Sequence, residues 1–231
     1  MPKVIKFNKP FIYKDTKNNL LKVINNKVFT DSEFQYKSEK LIQKLIKSNS
    51  VKLTQSCTSA LEVAMILANI NKDDEVIVPS YTFTSTANCV LLRNAKPVFA
   101  DVNINDINLS INSVEKKITS KTKAIIVVHY GGVSCDMDKF IHLKKKYNLL
   151  IIEDAAHAFL GKYKNKYLGT IGDFGAFSFH ESKNIVGGQC GALIINNKKF
   201  IKRADIILDK GTNRRFMGKK NYYSWQDIGS E

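Results

Sequence analysis

Several residue types are scarce in this chain, and each shortage excludes something. Its 231 residues include only four cysteines, Cys57, Cys89, Cys135 and Cys190, far apart and without a C-x-x-C pair. That spacing suits neither a zinc site nor a disulfide framework, so no metal is expected, and the thiols read as reduced ones in a cytoplasmic protein. No apolar run approaches the roughly 20 residues a membrane span needs. The N-terminus, MPKVIKFNKPFIYKD, has no apolar core and no small-residue cleavage site, so no signal peptide is expected. There are four prolines, and no Pro-rich hinge, repeat or low-complexity linker divides the chain. Arginine is scarce as well. Arg93, Arg203, Arg214 and Arg215 are the whole set, although the net charge is +15. Specific DNA readers rely on arginine for bidentate base contacts. The lysines are scattered rather than gathered in one block. The charge therefore reads as a bias toward residues that A/T-rich codons encode, with no nucleic-acid or membrane partner expected.

What is present is a repeating pattern. Residues 75–79, 96–102, 124–130, 149–155, 175–179 and 191–196 are short, continuous apolar runs rich in Val and Ile, as in strands buried on both faces. Helical patterns lie between several of them, over 58–70, 82–93, 136–147 and 197–209. The alternation predicts an α/β domain: a mostly parallel sheet with helices on both faces, in three layers. Ligands of such sheets bind outside the carboxyl ends of the strands. Polar and small residues gather at those ends: SCTSAL after VKLTQ, SYTFTSTAN after EVIVP, HYGG after AIIVV, DAAHA after LLIIE, and HESKN after GAFSF.

Three of these clusters suggest chemistry. Ser56, Thr58 and Ser59 open a helix, where free N–H groups and the helix dipole favour phosphate, although a plain N-cap needs the same residues. Asp154 follows four residues that are mostly apolar and precedes two alanines. A carboxylate there needs a cation or several donors, and a protonated pyridine nitrogen is one such cation. A helix cap or a metal ligand is the other reading. His157, three residues on, is either structural or within reach of the same ligand. Lys183 follows a buried strand, unlike the lysines of the KKK run at 144–146. Desolvation would lower its pKa and make it competent to form a Schiff base, whereas an exposed loop lysine would have no such role.

The stretches PSYTFTSTAN, DVNINDINL, VHYGGVSCDMD, IIEDAAHAFLGKYKNKYLGTIGDFGAFSFHESKN and DKGTNRR resemble the DegT/DnrJ/EryC1/StrS sugar aminotransferases, and the resemblance runs from about residue 5 to the end. It implies the large domain of the aspartate aminotransferase fold, with pyridoxal 5'-phosphate (PLP) as cofactor. It also implies a homodimer with active sites at the interface. By this resemblance Lys183 carries the cofactor and later moves protons, and Asp154 meets the pyridine nitrogen. Phe83 stacks on the ring, with Ala156 on the opposite face. Thr58, Ser59 and Ser178 hold the phosphate. His157 lies near the cofactor's phenolic oxygen, and Asn213 reaches the phosphate of the partner subunit. The implied reaction moves an amino group from an amino acid, L-glutamate, to the 4-keto carbon of a dTDP-4-keto-6-deoxyhexose used in cell-surface polysaccharide. A perosamine- or aminoarabinose-type sugar and an inactive remnant are the alternatives.

Two departures stand out. Relatives read Gly-Gly-Glu-Gly-Gly after the lysine, whereas this chain has GGQCGAL, with Gln189 and Cys190. A side chain at Cys190 is expected to strain backbone that runs tight or left-handed there. By the same resemblance the family's C-terminal small domain is expected to be absent from these residues, and residues 1–231 are expected to be an N-terminal arm plus the cofactor-binding large domain.

Overall fold

The structure, a computed structural model, describes residues 8–30, 32–218 and 222–230. Two helices lead: α1 (Thr16–Asn26), with no buried residue, and α2 (Glu33–Ile46), which buries Ile42 and Ile46. Then follow β1 (Val51–Thr54), α3 (Cys57–Leu67), β2 (Glu75–Pro79), α4 (Ser85–Leu91) and β3 (Lys96–Ala100). Next come α5 (Ile111–Lys117), β4 (Thr122–Val128), α6 (Met137–Tyr147), β5 (Leu150–Asp154) and a small hairpin, β6 (Lys162–Tyr163) with β7 (Lys166–Tyr167). β8 (Phe174–Ser178), β9 (Gly191–Ile195) and α7 (Ile201–Ile207) complete the set.

Seven strands form one sheet in the order β1-β9-β8-β5-β4-β2-β3. All neighbours are parallel except β9, which runs antiparallel to both β1 and β8. The expected mostly parallel sheet is therefore present. Alternation along each strand builds a core on each face, in three clusters. Val76 and Val78 pack with α3, α4 and α7 on one face, while Ile77 packs with α5 and α6 on the other. Burial on both faces explains why the strands read as unbroken apolar runs.

Three helices are shorter than the pattern predicts; the one expected over 58–70 ends at Leu67. The helix expected over 82–93 begins only at Ser85, because Tyr81–Phe83 turn toward the strand ends. The one expected over 197–209 splits into a 3-10 turn, Lys198–Phe200, and α7. Asn197 caps that turn by accepting from Lys199 N.

Glu153 fastens the sheet to the loop after the hairpin. Its Oε1 accepts from Ile171 N and Gly172 N, both at 2.6 Å, and its Oε2 accepts from Gly169 N at 2.8 Å. His129 Nε2 lies 3.0 Å from the same Oε2, and both side chains are fully buried. His129 Nδ1 accepts from Cys135 N at 3.2 Å, so the ring is the neutral tautomer with its proton on Nε2. The pair joins the ends of β4 and β5, where the site lies.

Candidate active site

The loops after β1, β2, β4, β5 and β8 converge on one cavity of about 660 Å³. Its wall includes Thr58, Phe83, Asp154, Ala156, His157, Ser178 and Lys183. Two other expected site residues lie elsewhere. Ser59 sits behind the wall, its N–H donating to Ser56 Oγ at 3.0 Å. Asn213 is away from the cavity and accepts from Ser224 N through Oδ1 at 2.8 Å.

Asp154 is the last residue of β5 and is 5% exposed. Thr86 Oγ1 donates to its Oδ2 at 2.9 Å, and Ala156 N donates to its Oδ1 at 3.2 Å. Cys57 Sγ lies 4.0 Å from Oδ1. None of these partners is a cation. Burial pushes the carboxyl above its ordinary value, and the hydrogen bonds from Thr86 and Ala156 offset this only in part.

Lys183 is half-buried on the same wall, held in a turn by its own N–H donating to His180 O at 2.9 Å. Burial holds its ammonium below the usual lysine value. Lys146 and Lys164, on the surface, shift the other way, raised by Glu115 and Asp138. His157 is exposed to the cavity and is held below the usual imidazole value by desolvation and then by Lys183. Phe83 is 74% exposed, leaving its ring face free.

α3 meets the cavity with its N-terminus. Ser56 caps it, and the first N–H groups of the helix have no intrahelical acceptor. Thr58 Oγ1 lies 2.7 Å from Ser85 Oγ at the start of α4. β9 passes tightly behind this turn: a Cβ on Gly191 would sit 2.3 Å from the Ser56 carbonyl carbon. The strain expected at Cys190 is not there. The left-handed residue is Gly188, at φ +87°, and the close approach falls at Gly191, whereas Cys190 is a half-buried thiol of the wall. All four cysteines are free, and no metal-binding group exists among the described residues.

Sequence reasoning missed several residues of the site. Thr82 and Thr86 both fall in the stretch expected to be helical, but only Thr86 lies on α4, so helical spacing is not what brings them together. Tyr81 and Tyr130 share the cavity mouth, with ring centroids 5.0 Å apart. Nothing in the sequence singled out Cys57 or the pairing of His129 with Glu153.

Residues 10–230 match the sequence profile of the DegT/DnrJ/EryC1/StrS aminotransferase family. The chain belongs to that family. Over 219 residues it is 35% identical to the uncharacterized protein MJ1066 of Methanocaldococcus jannaschii, which covers 93% of this chain and 57% of that protein. It is 42% identical over 146 residues to a GDP-perosamine synthase of Escherichia coli O157:H7, covering 63% of this chain and 40% of the synthase. Among solved structures it is similar to Helicobacter pylori PseC, an aminotransferase of pseudoaminic acid biosynthesis. That match has a TM-score of 0.89 and 29% identity, and covers 99% of this chain and 61% of PseC. The PLP form of the putative sugar aminotransferase Spr1654 from Streptococcus pneumoniae matches at a TM-score of 0.88 with 25% identity, covering 98% of this chain and 62% of that one. The chain thus spans about half the length of the curated relatives it matches.

Proposed function

We propose that this chain carries the cofactor site of a PLP-dependent sugar aminotransferase. One observation carries the reading: a buried carboxylate, Asp154, with only neutral partners, shares a cavity with a half-buried lysine of lowered pKa, Lys183. A carboxylate so placed suits a cationic ring nitrogen. The rest of the wall fits the same cofactor. The α3 N-terminus with Thr58, joined by Ser178, suits its phosphate. Phe83 and Ala156 suit the two ring faces, and His157 the phenolic oxygen. Ser59 acts through Ser56, which it positions. Asn213, outside this cavity, is assigned to the site of a partner subunit in a homodimer.

When bound, the cofactor supplies an electron sink for a carbanion at the substrate carbon. Asp154 holds the proton on the ring nitrogen. Lys183 Nζ, with its pKa lowered, takes the proton from the α-carbon of the amino donor and returns one to the sugar carbon.

We assign L-glutamate as donor and a dTDP-linked 4-keto-6-deoxyhexose as acceptor. Similarity to two proteins named GDP-perosamine synthase favours a GDP-linked keto-sugar as the second reading. The test is to incubate the chain with PLP, L-glutamate and either nucleotide 4-keto-sugar, following the amino sugar by mass spectrometry. Product with one nucleotide, absent in Lys183→Ala, is expected. PLP held at Lys183 but no amino sugar from either nucleotide would refute the sugar reading and favour an inactive remnant.

A further inference from the structure

Beneath the cavity wall lies a hydrogen-bonded chain of two hydroxyl groups. Thr82 lines the cavity, and its Oγ1 is 2.7 Å from Thr86 Oγ1. Thr86 is fully buried and donates to Asp154 Oδ2 at 2.9 Å. A threonine hydroxyl has one proton. An ionised Asp154 only accepts, so Thr86 spends its proton there, and the Thr82 hydroxyl must donate to Thr86. The direction of the chain is therefore fixed from the cavity inward.

We infer that Thr82 and Thr86 are positioning residues, a one-way hydroxyl relay that holds Asp154 as an oriented carboxylate. The consequence for the cofactor rests on the reading above; the relay itself does not. Donation from Thr86 stabilises the charged form, and the bond from Thr82 polarises that donor further.

Other titratable groups face Asp154 from the neighbouring elements. Cys57 on α3 and Cys89 on α4 are thiols that burial pushes up, Cys89 to about 12, so both stay neutral. His129, at the end of β4, is neutral with its Nε2 proton on Glu153. His157 and Lys183, on the loops after β5 and β8, are both held below their ordinary values by burial. Neither is hydrogen-bonded to Thr82 or Thr86, whose partners are each other and Asp154.

The experiment is a carbon-13 NMR titration of the Asp154 carboxyl in the full chain without cofactor, assigned with Asp154→Asn. Thr86→Val is expected to raise the midpoint by about one to two pH units. Thr86→Ser should restore it, and Thr82→Val should raise it by less than Thr86→Val. A midpoint unchanged in folded Thr86→Val overturns the relay. If circular dichroism shows Thr86→Val unfolded, Thr82→Val decides: an upward shift supports the relay and no shift overturns it. PLP is then added to each variant. Wild-type chain that takes up no PLP refutes the cofactor reading while leaving the titration to judge the relay.

Discussion

Replacing Glu153 by Gln exchanges one carboxylate oxygen for an NH2 group at nearly constant size. Each oxygen of Glu153 accepts from two N–H donors: Ile171 and Gly172 on Oε1, Gly169 and the His129 ring on Oε2. Whichever way the amide turns, its NH2 faces two of them. On the Oε1 side both are backbone groups and neither can rotate away. On the Oε2 side His129 could accept only by moving its proton to Nδ1, which already accepts from Cys135 N. A new unpaired donor would then face that backbone N–H. Two orphaned buried donors at about 1–3 kcal/mol each, together with the lost charge assistance, give a cost of about 3–5 kcal/mol. Urea unfolding followed by circular dichroism measures it, as a lower midpoint at unchanged slope. PLP affinity should fall too, because Asp154 follows Glu153 and its carbonyl accepts from His129 N at 3.1 Å. A loss below about 1 kcal/mol would refute the reasoning, since the four donors would then have found other partners.

Further outcomes follow from the same geometry. Gly191→Ala places a Cβ 2.3 Å from the Ser56 carbonyl carbon and 2.4 Å from Cys57 N, backbone that cannot step aside. It should cost about 3 kcal/mol or more by urea unfolding and weaken PLP binding, since it displaces the α3 N-terminus. Gly188→Ala has open space around it and should cost only the left-handed strain, about 1–2 kcal/mol. Asp154→Asn bears on pH. The folded carboxyl is raised by burial, so in the cofactor-free chain it costs stability as pH rises through its range. Asn accepts from Ala156 N and donates to Thr86, removing that cost. Cofactor-free Asp154→Asn should therefore melt no lower than wild type at neutral pH, with any gap closing as pH falls below the carboxylate range. A lower melting temperature at neutral pH would count against the buried-charge account, and PLP affinity should drop in the same variant.

The clusters at five strand ends were legible because a parallel sheet brings its carboxyl ends to one edge, and each end carried polar or small residues after an apolar run. Lys183 stood out for the same reason, following a strand buried on nearly every position. The antiparallel direction of β9 was hidden: GALII is apolar whichever way it runs, and direction depends on the short return through 179–190. The partners of Asp154 were hidden too. Thr86 meets it across 68 residues of sequence and Cys57 across 97, contacts set by strand order. Helices α1, α2 and α5 were all missed: each carries few buried residues, none on α1, Ile42 and Ile46 on α2 and Val114 on α5. The resemblance placed Ser59 on the phosphate, whereas its N–H donates to the Ser56 cap; it placed Asn213 at a partner subunit's phosphate, and Asn213 accepts from Ser224 N outside this chain's own cavity.

The central claim is that Lys183, among the described lysines, is the one built to take the cofactor. The direct measurement is to add PLP to the purified chain, reduce with borohydride, digest, and locate the modified peptide by mass spectrometry. The account predicts an absorbance band that borohydride removes and a single labelled peptide containing Lys183, both lost in Lys183→Ala. Label spread over surface lysines, equal in wild type and Lys183→Ala, would contradict it.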